Sequence, residues 1–247
     1  MNYNLVVKIN ATMTIDGKIA TVSGDSKISS RQDLIRVHEL RSSVDAIMVG
    51  ITTVLIDDPM LSVRLSKKTG VNPLRIIIDS TARIPLASKI LQSAHRIITI
   101  VAVTSRAPAD KIEKIEDSGA MVLVAGKQAV DLRRVFSILQ NIGIRRVLVE
   151  GGGEINWSVL SQGLVTELIL TIAPVIAGGR NAITLVEGDG YATISKAMKM
   201  SLTKLSRQKN GEVVLRYKFR RGRSDQSNSD GIILTASGQQ EPATSIH

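Results

Sequence analysis

Arg146-Val-Leu-Val-Glu150-Gly151-Gly152-Gly153-Glu154-Ile155 is the segment of this sequence with the most chemistry in it, because an apolar run passes into three glycines and then into a helical pattern. Glycine lets a phosphate approach the backbone, and the unpaired N–H groups at a helix start supply donors and a partial positive charge. A phosphate site is the sharper interpretation, and a plain strand-to-helix connection is the other. The turn is not a P-loop, since no Gly-Lys-Ser/Thr follows, and G-x-G-x-x-G fails because its sixth position is Asn156. The carboxylate that a Rossmann site places roughly 20 residues further on is also missing, because that region reads Thr171-Ile172-Ala173-Pro174. A dinucleotide held here is therefore held in a different manner.

Carboxylates and arginines occupy comparable positions. Glu150 stands at the carboxyl end of its strand, where open α/β sheets bind ligands, and Asp57-Asp58-Pro59 follows another apolar strand after the turn Gly50-Ile51-Thr52-Thr53. Two carboxylates at one sheet edge can orient a polar substrate or move a proton; the competing interpretation of Asp57-Asp58-Pro59 is an Asx-type turn before proline. Arg41, Arg64 and Arg83 lie within reach in the chain, and guanidinium forks match phosphate geometry, although each taken alone suits a surface position. Ser105-Arg106, after the longest apolar stretch, suits an anion such as the 2′-phosphate of NADP or an ordinary loop start.

Other chemistries are disfavoured. The sequence has no cysteine, hence no disulfide framework and no thiolate metal site, and its three histidines (His38, His95, His247) are scattered, so no metal is expected. Neither His38 nor His95 has a G-x-S-x-G partner, which argues against a Ser-His-Asp hydrolase. His38 is expected to pack on the inner side of a helix beside Leu34 and Val37. The net charge of +10 looks like a nucleic-acid signature until it is located. Residues 199–223 hold nine bases against the single acid Glu212, a local +8, and residues 224–247 hold three acids and no base, which leaves +5 on the first 198. With six aromatics in the chain, stacking platforms for single strands are nearly absent, so no nucleic-acid partner is expected. A moderately basic cleft for phosphorylated small molecules fits the surplus, and so does a solvated basic hairpin.

These residues need a scaffold. At 247 residues, with 43% hydrophobic and 22% charged, the composition is that of a globular chain. The longest apolar stretch, Ile97 to Val103, is far short of the roughly 20 residues that cross a bilayer, and the N-terminus lacks a basic export region, so neither a membrane nor export is expected and a cytoplasmic location is. Strands are predicted at Leu5 to Asn10, Ala46 to Val49, Leu74 to Asp79, Ile97 to Val103, Met121 to Val124, Arg146 to Glu150 and Glu167 to Ile172, alternating with helices at Arg31 to Ser42, Ala109 to Asp117, Leu132 to Asn141 and Glu154 to Gln162. Several strands are apolar throughout, which implies a mostly parallel sheet of an α/β domain, buried on both faces. Ser201 to Ser206 and Val213 to Phe219 flank an Asn-Gly turn signal and predict a closing antiparallel β-ribbon. One domain over 1–222 is expected, and 223–247, rich in Ser, Asn, Gln and Gly, reads as a disordered tail.

Taken in order, Lys8-Ile-Asn-Ala-Thr-Met-Thr-Ile-Asp16-Gly17-Lys18-Ile-Ala20, Val49-Gly50-x-x-Thr53-x-x-x-Asp57-Asp58-Pro59-x-Leu61-x-Val63-Arg64, Asn72-Pro73-x-Arg75-x-x-x-Asp79-Ser80 and Glu150-Gly151-Gly152-Gly153 resemble the RibD C-terminal family, the reductases of riboflavin biosynthesis. The resemblance runs from about residue 3 to 219 and implies a dihydrofolate-reductase-like fold. Without room before Met1 for a deaminase domain, the chain is similar to the stand-alone archaeal and fungal type. The resemblance implies NADPH as hydride donor, NADH being the alternative, and a phosphoribosylamino-pyrimidine whose sugar opens, forms an imine at C1′ and is reduced there to the ribityl product. It assigns Thr53, Asp57, Ser80, Thr81, Ala82, Arg83, Val130, Gly152, Gly153, Glu154 and Ile155 to the cofactor, and Ser26, Arg41, Leu61, Arg64 and Glu150 to the substrate. Asp57 or Glu150 is the candidate for proton movement, and a homodimer is implied. Thr14 stands where the family often has Ser. The alternatives are a pterin reductase sharing the fold, disfavoured by the Asp-Asp-Pro-x-Leu-x-Val-Arg segment, and a basic nucleic-acid-binding module on residues 199–223.

Overall fold

The computed structural model describes residues 5–64, 72–219 and 233–236. Apolar β-branched runs form the strands β1 (Val6–Thr14), β2 (Ala46–Gly50), β3 (Leu74–Ile78), β4 (Thr99–Val103), β5 (Met121–Val124), β6 (Arg146–Val149) and β7 (Glu167–Ala173), followed by β8 (Met200–Arg207), β9 (Val213–Phe219) and β10 (Ile233–Ala236). The helices are α1 (Arg31–Arg41), α2 (Ile51–Asp57), α3 (Lys89–Gln92), α4 (Ala109–Asp117), α5 (Leu132–Asn141) and α6 (Gly153–Ser161). The strands make one ten-stranded sheet in the order β10-β8-β9-β7-β1-β6-β2-β3-β4-β5. From β7 to β5 every pairing is parallel, and β9 is antiparallel to both β7 and β8. All the strand exits from β7 to β5 therefore lie at one edge.

Alternation along the strands splits the core into two layers. Ala46 and Met48 of β2, Val147 and Val149 of β6, and Ile100 and Ala102 of β4 face one way, against Val135, Phe136 and Leu139 of α5 and Ile155 and Val159 of α6. Ile47, Val49, Leu148, Val101 and Val103 face the other way, with Leu40 of α1, Val54 of α2, Ile90 of α3 and Ile115 of α4. Both faces are covered, as continuous apolar strands require. Side-chain caps start three helices: Ser30 accepts from Asp33 N–H, Ser88 from Leu91 N–H and Asp131 from Arg134 N–H.

Several local expectations need correcting. Gly50 to Thr53 is not a free turn, because Gly50 caps α2 and Ile51 begins it. β1 continues four residues past Asn10, since β7 pairs with it as far as Thr14. The inner face of α1 is Asp33, His38 and Leu40, whereas Leu34 is 43% exposed. That polar inner face is satisfied by a network. Thr12 and Thr171 hydroxyls donate to Asp33, and Arg36 donates to Asp33, to Asn10 Oδ1 and to Thr171 Oγ1. Burial opposes ionisation of Asp33, but the Arg36 charge and these hydrogen bonds outweigh it and hold the carboxyl below its ordinary value. The ribbon turn adds a clamp, with Glu212 accepting from both the amide and the hydroxyl of Ser30. Of 223–247, Ile233–Ala236 pair in parallel with β8, and the rest of that segment lies outside the described residues. Among the described residues no helix is long and apolar enough to cross a membrane.

Arg75 of β3 is fully buried, and among the described residues no carboxylate lies at hydrogen-bonding distance from it. Its guanidinium donates to Thr99 Oγ1, Ser93 Oγ and the carbonyls of Met60, Ile90 and Ile97, tying β3 and β4 to α3 and to the segment after α2. Burial pushes its pKa down to about 10. Arg75→Ala leaves a cavity and several buried acceptors without donors, so urea unfolding should show a loss of about 3–5 kcal/mol. A loss below about 1 kcal/mol would mean that these hydrogen bonds contribute little.

Candidate active site

The strand exits of β6 and β2 meet first. Gly50 N–H donates to Gly151 O at 3.0 Å, which joins the start of α2 to the glycine turn. Gly151 has φ of 95°, a conformation that glycine adopts without a Cβ penalty. A Cβ on Gly152 would sit 3.6 Å from Thr53 Oγ1, so the absence of a side chain there keeps the cleft open. Gly153 differs, because a Cβ would lie 2.6 Å from Glu187 Cγ and 2.7 Å from the Thr184 carbonyl oxygen. The 184–187 segment covers the first turn of α6, with Asn156 Nδ2 donating to Leu185 O and Glu187 N–H to Gly153 O. The amides of Gly152 and Gly153 donate to no acceptor among the described residues. A cleft opens here, lined by Gly152, Gly153, Thr52, Thr53, Ser26 and Asp57 with apolar walls from Ile19, Ile56 and Ile183.

The same edge continues across β3, β4 and β5. Asp79 at the exit of β3 is completely buried and accepts from Ile84 N–H at 2.8 Å, with Arg83 Nε 3.5 Å from its other oxygen. Burial raises its pKa, against the pull of the Ile84 amide and Arg83. It braces the turn Ser80–Arg83. Ser80 O accepts from the Thr104 amide and hydroxyl, Arg83 is exposed, and Ala82 is buried at φ of 54°. Arg106, beyond β4, donates to Gln128 O. Val130 is 8% exposed in the core, behind a turn that needs glycine at Gly126, where a Cβ would lie 2.2 Å from Ala129 O. The residues expected to serve the cofactor thus fall along one line of strand exits. Glu154 is exposed, while Ala82, Val130 and Ile155 bury their side chains and leave only backbone for a ligand.

Of the residues expected on the substrate side, Glu150 and the Arg64 backbone meet the last turns of α1, whereas Ser26 lies with Asp57 in the cleft lined by Gly152. Arg41, its last residue, grips Glu150 with two bonds, Nε to Oε1 at 2.8 Å and Nη2 to Oε2 at 2.6 Å, with side chains only 12% and 9% exposed. Burial disfavours the charged guanidinium, but Glu150 outweighs it and raises the pKa of Arg41. Arg41 Nη1 also donates to Ser62 O at 3.1 Å. Ser26 Oγ donates to Asp57 Oδ1 at 2.6 Å, and Asp57 is exposed. Leu61, at φ of 47° and 2% exposed, has its side chain in the core, while Arg64 is exposed. Asp58, the αL cap of α2, accepts from Lys89 N–H and is turned away toward α3.

Two contributors were missed from the sequence. His38 is not merely packed, for its Nδ1 accepts the backbone N–H of Arg64 at 3.1 Å. Ile183 and Glu187 line the cleft from an irregular segment whose glycines carry no periodic signal.

Known proteins resemble this chain in sequence and in fold. The chain is 46% identical over 197 residues to the 2,5-diamino-6-ribosylamino-4(3H)-pyrimidinone 5′-phosphate reductase of Methanothermobacter thermautotrophicus, covering 79% of this chain and 90% of that one. It is 39% identical over 201 residues to the protein of the same name from Aquifex aeolicus, covering 79% and 88%. Among solved structures, Acinetobacter baumannii RibD superposes with a TM-score of 0.74 at 24% identity, over 87% of this chain and 58% of that longer one, which supports the fold. The RibD C-terminal domain family matches residues 6–214, and the chain belongs to that family.

Proposed function

We propose that the protein reduces the ribosylamino side chain of 2,5-diamino-6-ribosylamino-4(3H)-pyrimidinone 5′-phosphate to the ribitylamino product, with NADPH as the reductant. One observation carries this reading: a backbone with free amides and no side chain at Gly152 lies next in the chain to the buried Glu150–Arg41 pair. The first suits a dinucleotide phosphate, and the second anchors a cationic site for a sugar phosphate. NADPH supplies a hydride to C1′ when bound. The residues present fit such a group, since Gly152 and Thr53 form a cradle that a Cβ would fill, and the exits of β3 to β5 continue it with Ser80, Thr81 and Arg83. Arg83 or Arg106 is the cation for the 2′-phosphate that distinguishes NADPH from NADH.

On the substrate side we assign the 5′-phosphate to Arg64 and Arg41. Glu150 holds Arg41 in its fork and keeps the pair of arginines from repelling one another. In sugar opening the exocyclic N–H proton passes to the ring oxygen O4′ as the C1′–O4′ bond breaks and the C1′ imine forms, and the imine nitrogen takes a proton back when C1′ takes the hydride. Asp57 is the better relay for that proton, because it is exposed and receives a hydrogen bond from Ser26, whereas both oxygens of Glu150 accept from Arg41. A cytoplasmic homodimer belongs to the same proposal, as does one reductase domain over 1–222, which the family match over residues 6–214 supports.

Incubating the protein with the ribosylamino-pyrimidine phosphate and each nicotinamide, and following the absorbance of the reduced cofactor, tests the reaction; no oxidation with either would reject it. Gly152→Val fills the cradle beside Thr53 and should abolish NADPH binding in a fluorescence titration with the circular dichroism unchanged, and tight binding would sink the cradle. Arg64→Ala removes a charged phosphate contact and should raise the KM for the phosphorylated substrate about 10- to 100-fold at similar kcat. An unchanged KM would move the phosphate elsewhere. Glu150→Gln removes the charge that partners buried Arg41 and should cost about 2–3 kcal/mol in kcat/KM, roughly 30- to 160-fold, with a lower thermal midpoint; wild-type kinetics would show that the pair is dispensable.

A further inference from the structure

An exposed arginine on an extended segment has no fixed aim unless its backbone is held, and three successive residues before the described chain breaks off are each held. Ser62 O accepts from Arg41, Val63 N–H donates to Asn72 Oδ1 at 2.8 Å, and Arg64 N–H donates to His38 Nδ1 at 3.1 Å. His38 lies on α1 one turn before Arg41, is 4% exposed and also hydrogen-bonds the Ser62 backbone. An Nδ1 that accepts carries no proton, so the neutral ring has its proton on Nε2. We propose that His38 is a positioning residue for the substrate phosphate: as a neutral imidazole it fixes the Arg64 amide and so aims that guanidinium into the same site as Arg41. The inference rests on the reading of Arg64 as a phosphate ligand.

The surroundings keep the ring neutral. Burial lowers the pKa of His38 first, the charges of Arg41 on α1 and of Arg64 lower it further, and Glu150 at the β6 exit and the Ser62 hydrogen bond pull the other way, so it lies below the ordinary histidine value of 6.5. Because the folded pKa is depressed, the contact is complete above 6.5 and is lost as pH falls through the lower folded value, where N–H would face N–H. The substrate phosphate titrates near about pH 6 as well, so a control that keeps the acceptor without titrating is needed.

His38→Asn places an amide oxygen near the Nδ1 position and cannot be protonated, and His38→Leu removes the acceptor. For His38→Leu we expect KM for the phosphorylated substrate to rise about 3- to 10-fold, with kcat and NADPH affinity within about twofold. His38→Asn should restore KM to within about twofold at pH 8 and should lack the part of the acid rise in KM that wild type shows beyond phosphate titration. An unchanged KM in His38→Leu, or equal losses in both variants, overturns the inference while leaving the reductase reading intact. A wild-type protein that reduces nothing overturns both. Should His38→Leu not fold, ¹⁵N chemical shifts of the wild-type histidine decide instead: a neutral Nε2–H ring that resists protonation at pH 6 supports the contact, and an Nδ1–H tautomer or titration at an ordinary value removes it.

Discussion

The bidentate Glu150–Arg41 pair is the interaction around which the site is arranged. Glu150 is the residue between the last position of β6 and the first glycine of the turn, and Arg41 is the last residue of α1. Closing the pair therefore fixes three things together: the end of α1, the exit of β6 and the place where Gly151 and Gly152 begin. With side chains 12% and 9% exposed, neither partner is fully hydrated, so either one left alone would be a costly buried charge. The arrangement is then tolerant of nothing but a charge pair, and that constraint is passed to both halves of the cleft.

A pair of that kind holds only if α1 cannot slide. Its inward face carries Asp33 and Arg36 rather than aliphatic residues, and these bond to Thr12 and Asn10 on β1 and to Thr171 on β7. Hydrogen bonds are directional where apolar contacts are not, so the network sets the register of the helix on two strands while Leu40 supplies the packing. Glu212 of the ribbon turn holds the opposite end through Ser30. The C-terminal ribbon, which among the described residues lines no part of the cleft, thereby bears on where Arg41 stands. The basic surplus of that ribbon is partly spent on the sheet as well, with Arg216 paired to Glu167.

The parallel sheet was legible in the sequence because its strands are apolar on both faces, which leaves no periodic ambiguity once glycines and helical segments bound them. The ends were less so. β1 reads as finished at Asn10, because Asn10 and Thr12 are polar, yet both bond to the polar inner face of α1 through Arg36 and Asp33, and a hydrophobic pattern cannot register that. Ile51-Thr52-Thr53-Val54 reads as a turn because β-branched residues disfavour helix, yet its Ile51 and Val54 are packed into the core and tertiary burial decides. His38 was assigned to packing from neighbours that include the exposed Leu34, so the face was misjudged and with it the contact to Arg64. Arg75 illustrates the same limit, for nothing local announces that a strand arginine has five acceptors waiting inside the fold.

The two halves of the cleft are built from different materials, and that difference governs how each can vary. On the side proposed for the dinucleotide, the chain offers amides, a bare Gly152 and a turn braced by buried Asp79, so backbone course and the absence of side chains define it. On the side proposed for the sugar phosphate, the chain offers Arg41, Arg64, Ser26 and Asp57, whose aim depends on partners in α1, β6 and the segment after α2. In that proposal, discrimination among phosphorylated substrates comes from the second side, where side-chain length and charge enter. Glu150 and Gly151 are neighbours in the chain, so the boundary between a surface defined by bare backbone and one defined by side-chain partners falls on a single peptide bond.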